Sequence, residues 1–275
     1  MWTNSIESDA ILMAFALTLL AGLSTGIGGA IAFFAKRTNT KLLSVSLGLS
    51  AGVMIYVSFV ELFPEACKSL TSEFGNVLGN WVAVIGFFGG IALSAVIDML
   101  VPMYENPHEM HHIEEMGSDV LKCHRNKLMR LGVFSALALA LHNFPEGLAT
   151  FVAVLKDPHL GISVAIAIAI HNIPEGIAVS VPIFYATGSK KKAFWYSFLS
   201  GLAEPLGALI GFALLFPFIN DIVFGILFTV VAGIMVYISF DELLPAAQEY
   251  GEHHHAIGGL IAGMAIMAIS LLMFL

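Results

Sequence analysis

Apolar runs too long for a soluble core dominate this chain. Eight follow one another near 10–35, 42–66, 78–101, 128–155, 160–186, 192–217, 222–248 and 255–275. At 1.5 Å per residue each reaches across a hydrocarbon layer of about 30 Å. None alternates with period two, so a transmembrane barrel is excluded. Hydrophobic residues make up 58% of the 275 and charged residues 12%, the latter about half of the roughly 25% usual in soluble domains. A soluble globular protein, a disordered chain and a nucleic-acid binder are therefore excluded. Two cysteines exclude a disulfide scaffold. The expected fold class is an all-α polytopic membrane protein with eight transmembrane helices, forming a single transmembrane domain over 1–275.

The basic residues sort by loop. Lys36, Arg37 and Lys41 fall between runs 1 and 2; Lys122, Arg125, Lys127 and Arg130 precede run 4; Lys190, Lys191 and Lys192 separate runs 5 and 6. With eight crossings these ten of the twelve basic residues share one side, leaving Lys68 and Lys156 on the other. The positive-inside rule makes the richer side cytoplasmic. The expectation is a multi-pass protein of the plasma (inner) membrane with both termini extracytoplasmic. The first run lacks a basic leader and follows Glu7 and Asp9, so it does not read as a cleavable signal. The one long polar linker, 102–127, carries His108, His111, His112 and His124 and reads as a cytoplasmic loop.

The chain also resembles itself. AGVMIYVSFVELFPEA (51–66) and AGIMVYISFDELLPAA (232–247) agree at ten of sixteen positions. These runs are five apart and hence antiparallel. Gly22, Leu23 and Gly28 of run 1 match Gly201, Leu202 and Gly207 of run 6 more faintly. Run 4 carries His142-Asn143-Phe144-Pro145-Glu146-Gly147, and the adjacent run 5 carries His171-Asn172-Ile173-Pro174-Glu175-Gly176. Repeats in opposite orientation mark transporters whose substrate site lies near the midplane.

Counting from the basic loops puts His142, His171 and Glu204 near mid-depth; twelve residues separate Arg130 from His142, about 18 Å along a helix. The His and Glu of each motif are four apart and share a helical face. Pro145, Pro174 and Pro205 cannot donate to the carbonyls of Leu141, Ile170 and Gly201, so each is expected to kink its helix and expose an oxygen. Three Glu at this depth cost roughly 8–10 kcal/mol, at about 3 each. That rivals the net stability of a whole protein, about 5–15 kcal/mol. Protons, water or a metal must offset it. Two imidazoles, two amide oxygens and three carboxylates suit borderline divalent ions such as Zn²⁺, Fe²⁺, Mn²⁺ or Co²⁺. A dedicated Mg²⁺ or Ca²⁺ site would be all oxygen. The candidate metal residues are His142, Asn143, Glu146, His171, Asn172, Glu175 and Glu204. The ion is bound as substrate, and no cofactor is expected.

The repeat also places carboxylates at both mouths, Glu61 and Glu65 at one end and Asp241 and Glu242 at the other. Glu61 and Glu242 correspond in the repeat and are candidates for the transport path, though solvated helix ends would read the same way. His108, His111, His112 and His253 to His255 offer weak, flexible metal positions on the cytoplasmic face, against a default of solvated loop. Cys67 and Cys123 have no partner at metal spacing.

At HNFPEG and HNIPEG the sequence resembles the ZIP (Zrt/Irt-like protein) family of divalent metal transporters, most of all its short bacterial branch, over essentially the whole chain. The resemblance implies a 3+2+3 inverted-repeat architecture and import of divalent metal, zinc first and also iron(II), manganese, cobalt and cadmium. It implies one metal position at His142, Glu146, His171 and Glu175. A second, at Asn143, Glu146, Asn172, Glu175 and Glu204, would share the bridging Glu146 and Glu175. It further implies an elevator-like movement of one helix bundle against another, and often a homodimer in the lipid bilayer. Two other classes stay in view: an intramembrane metallohydrolase with a Glu base, and a metal sensor without flux. HNxPEG differs from the HExxH of metalloproteases, and no G-x-x-x-x-G-K-[ST] loop is present for ATP-driven pumping.

Overall fold

In hydrocarbon every backbone N–H and C=O must be satisfied by the protein itself, and with a barrel excluded this leaves helices as the form for runs like these. The computed structural model describes residues 8–31, 40–100, 120–215, 218, 220–249 and 253–272, nearly all helical and with no strand among them. In order the helices are α1 (Ser8–Ile31), α2 (Thr40–Val57), α3 (Phe63–Leu100), α4 (Val120–Lys156) and α5 (Pro158–Thr187). Then come α6 (Lys190–Gly201), α7 (Ala203–Leu215), α8 (Asp221–Ile238), α9 (Leu244–Glu249) and α10 (His253–Leu272). Among the described residues, six helical stretches are long and apolar enough to cross a membrane: Ser8–Ile31, Ser44–Met99, Gly161–Thr187, Lys190–Leu214, Asp221–Glu249 and His253–Leu272. The chain is an all-α, multi-pass membrane protein.

The longest stretch, 56 residues, is not one rod. Gly75 inside α3 has φ 76° and ψ 165°, a conformation that side chains disfavour and glycine accepts. The chain reverses there, since Gly79 lies against the backbone of Leu70 and Thr71.

Two five-residue π-helical turns interrupt the helices. One, Ser58–Leu62, joins α2 to α3; the other, Ser239–Leu243, joins α8 to α9. They fall at matching places in the two similar sixteen-residue segments. Their cause is the proline that follows each. Pro64 and Pro245 have no N–H to offer the carbonyl four residues back, so the bonding register slips by one residue. Phe63 N–H then donates to Ser58 O, and Leu244 N–H to Ser239 O. Ser58 Oγ donates to Met54 O at 2.7 Å, and Ser239 Oγ donates to Met235 O at 2.7 Å.

Several expectations change. The helix of run 4 begins at Val120, so 120–127 is not loop. Lys, Leu and Arg are good helix formers, and the ladder need not stop where the apolar run does. The rest of that linker, His108, His111 and His112 included, lies outside the described residues, as do the side chains of Cys123 and His124. His253 to His255 open α10 rather than sit in a loop. Pro145 and Pro174 lie inside the continuous helices α4 and α5, with no break assigned at either. A break does precede Pro205: α6 ends at Gly201, and α7 starts at Ala203.

Two groupings of helices emerge from the packing. α4, α5, α1, α6 and α7 pack on one another, while α3 lies along α8 and α2 along α10; α2 against α5 and α4 against α8 join the groups. Phe151, Phe224, Phe228, Met54 and Met235 are fully buried between helices. Outward, α3 presents an apolar face, with Val77 76%, Trp81 61% and Ile85 66% exposed.

Candidate metal-ion site

The two HNxPEG motifs meet inside the first grouping. α4 carries Asn143 and Glu146, α5 carries His171, Asn172 and Glu175, and the first turn of α7 carries Glu204. All six are fully buried, at 0% exposure. His142 stands one residue before Asn143 on α4, and its side chain lies outside the described residues.

The contacts join the two motifs to one another and to α1 and α7. His171 Nε2 lies 2.8 Å from Glu146 Oε1, pairing the imidazole of one motif with the carboxylate of the other. Asn172 Nδ2 donates to Ala21 O on α1 at 2.9 Å and also to Glu204 Oε1. The Asn143 amide lies 3.3 Å from Ser200 O; turned over, its nitrogen donates to Leu139 O at 3.0 Å and to Glu175 Oε2 at 3.3 Å. Glu146, His171 and Glu242 all act electrostatically on Glu175, and Glu146 and Glu175 act on Glu204. Three carboxylates therefore share one low-dielectric region. The segments that hold them, 131–155, 157–189 and 193–275, contain no Lys or Arg.

This arrangement is acceptor-rich. Glu204 Oε2 and Asn172 Oδ1 are buried without a hydrogen-bond partner among the described residues. A buried acceptor left unmatched costs about 1–3 kcal/mol, more when charged. Among the described residues no three His, Cys, Asp or Glu side chains converge on one coordination point. The cluster is closed instead by contacts between its own side chains, Glu146 with His171 and Asn172 with Glu204. Imidazole, amide oxygen and carboxylate are the donors that borderline divalent ions take.

The mouths differ. Glu61, in the first π-helical turn, has Glu65 as its charged neighbour. Glu65 lies 3.5 Å from Lys68 Nζ and 4.0 Å from Lys156 Nζ. Lys156 also meets Asp221 at 3.0 Å, donates to Ser69 Oγ at 3.0 Å and lies 4.0 Å above the Phe224 ring. Glu242, in the second turn, has Asp241 and Asp98 as charged neighbours and lies close enough to Glu175 for its charge to be felt there. Asp98 and the Lys156 cluster escaped the sequence reading. Only the fold brings the ends of α3, α4 and α8 together.

A many-helix membrane protein with buried carboxylates, amides and imidazole at its centre belongs among membrane transporters rather than enzymes of the aqueous phase. Residues 102–271 match the family model described as ZIP Zinc transporter. The chain is 62% identical over 276 residues to the zinc transporter ZupT of Clostridium perfringens, covering 96% of this chain and 97% of that one. It is 60% identical to the zinc transporter ZupT of Nitratidesulfovibrio vulgaris, over 98% and 100% of the two chains. For that of Streptococcus mutans the figures are 62%, 98% and 100%. The chain belongs to the ZIP zinc transporter family, a family of transporters and not of enzymes.

Proposed function

We propose that this chain imports divalent transition-metal ions into the cytoplasm, zinc above all and also iron(II), manganese, cobalt and cadmium, through the buried His/Asn/Glu cluster. The observation that carries the reading is the meeting of Asn143, Glu146, His171, Asn172, Glu175 and Glu204, all fully buried, from three helices of a ZIP family member. So much acid on segments that carry no Lys or Arg has a use if a cation visits. His142, Glu146, His171 and Glu175 form one metal position. Asn143, Glu146, Asn172, Glu175 and Glu204 form a second, with Glu146 and Glu175 bridging. An arriving ion replaces the Glu146–His171 and Asn172–Glu204 contacts. The ligands must be deprotonated to bind it, so metal and protons compete for the same atoms.

The chain crosses the plasma membrane eight times in this reading. Six stretches qualify by length and hydropathy; α4 adds a seventh, and the reversal at Gly75 divides Ser44–Met99 into two. Runs 1–3 and 6–8 are the inverted repeats, and runs 4–5 the metal-site helices. The matched π-helical turns support the repeat. Lys68 and Lys156 sharing Glu65 supports their lying at one end, opposite the ten other basic residues. Both termini are then extracytoplasmic. Lipid covers the apolar face of α3. Pairing of two copies into a homodimer rests on the family resemblance.

Uptake into proteoliposomes tests the function. Metal flux that is lost in folded Glu146→Ala supports transport. Binding without flux points to a sensor, and turnover of a lipid or peptide points to an enzyme.

A further inference from the structure

The register that matches Gly22 to Gly201 and Gly28 to Gly207 matches Thr25 to Glu204. The contacts around these residues recur in pairs. Gly22 lies against Gly201 O, and Gly201 against Gly22 O. Gly28 lies against Ile173 O of one motif, and Gly207 against Phe144 O of the other. Asn172 donates to Ala21 O, and the Asn143 amide meets Ser200 O. Finally, Gly176 lies against Thr25 O, and Gly147 against Glu204 O. In every pair α1 and α5 do what α6–α7 and α4 do. Thr25 thus occupies on α1 the place that Glu204 occupies on α7.

Thr25 is fully buried, and its Oγ1 has no hydrogen-bond partner among the described residues. A helical threonine usually bonds back to the carbonyl four residues earlier, as Thr18 does to Ala14 O at 2.8 Å. That acceptor for Thr25 is Ala21 O, which already receives Ser24 Oγ at 2.6 Å and Asn172 Nδ2 at 2.9 Å. The hydroxyl is displaced from its ordinary partner by a residue of the site itself. It joins Glu204 Oε2 and Asn172 Oδ1 as a buried oxygen with its bonding capacity unused.

We propose that Thr25 is a specificity-determining residue of the transport site, whose hydroxyl offers an oxygen to the passing cation or to water that the cation carries. This rests on the metal-site reading above. A neutral, hard oxygen favours oxygen-seeking ions such as Mn²⁺ relative to Zn²⁺, and a carboxylate in the same place would hold any cation longer. Glu204 is the strong donor of the pair and Thr25 the weak one.

Proteoliposomes of the full chain, loaded in parallel with Mn²⁺, Zn²⁺ or Cd²⁺, test this by uptake ratios, which do not depend on how much protein inserts. Thr25→Val, which keeps shape and loses the hydroxyl, is expected to lower the Mn²⁺:Zn²⁺ ratio roughly fivefold. Thr25→Ser is expected to keep it. Thr25→Cys, which exchanges the oxygen for a soft thiol, is expected to raise the Cd²⁺:Mn²⁺ ratio roughly tenfold. Glu175→Ala separates the two readings. If Glu175→Ala carries no metal while Val and Cys at 25 keep the wild-type ratios, the Thr25 proposal is overturned and the metal site stands. If Glu175→Ala still carries metal, the metal site falls and Thr25 with it.

Discussion

The two π-helical turns, Ser58–Leu62 and Ser239–Leu243, share a backbone and differ in charge. Each opens on a bonded serine and comes shortly before a proline, and each carries its glutamate at the fourth position. Glu61 stands next to Glu65, which pairs with Lys68 of its own helix and with Lys156, the residue that ties α3 to α4 and reaches Asp221 at the start of α8. Glu242 stands among Asp241, Asp98 and the Glu175 of the central cluster. Like charges held together repel one another and attract a cation. Mixed charges satisfy one another. The duplicated sequence therefore repeats the geometry of the break, while single substitutions such as Val60 against Asp241 divide the surroundings: one end carries paired lysines and acids, and the other gathers acids.

The largest effect tests what both ends serve. Glu175→Gln is expected to cut zinc uptake by roughly 100-fold or more, the size of removing one member of a buried charged set, measured as initial rate in proteoliposomes. Next, the ends should respond unequally. Glu242→Gln should lower uptake roughly tenfold and Glu61→Gln by less than about twofold; equal losses would break the comparison. A smaller effect is expected from Asp241→Val, about threefold in rate at low salt and fading as ionic strength rises. Lys156→Ala should leave uptake near wild type. It should lower thermal stability by about 1 kcal/mol, or about 2–4 °C by scanning calorimetry. The smallest pair concerns the shared backbone. Ser58→Ala and Ser239→Ala should each cost about 0.5–1 kcal/mol and match one another.

Much of this was legible before any coordinates. Hydropathy named the class because bilayer thickness sets a length that soluble helices do not need. The paired HNxPEG motifs named the central residues because ionisable groups at that depth are rare. The contacts were not legible: spacing within a motif puts His171 and Glu175 on one face, and it says nothing of the 2.8 Å approach of His171 to Glu146 of the other motif. Nor did the prolines act alike. Pro64 and Pro245 follow a slipped register and Pro205 a broken helix, while α4 and α5 run on past Pro145 and Pro174, which local sequence does not distinguish. Lys156 and Asp221 are 65 residues apart, and only the closing of α3, α4 and α8 joins them. Thr25 could be read only from the faint match of Gly22 and Gly28 with Gly201 and Gly207, which gains meaning once the paired contacts are seen.

Anomalous diffraction at the zinc edge, from crystals of the whole chain grown with zinc, addresses the central assignment most directly. The account predicts a zinc peak bounded by Glu146, His171 and Glu175, with Asn172 and Glu204 alongside, that disappears in Glu175→Gln. Zinc bound only at the protein surface, with Glu146 still on His171 and Asn172 still on Glu204, would contradict it.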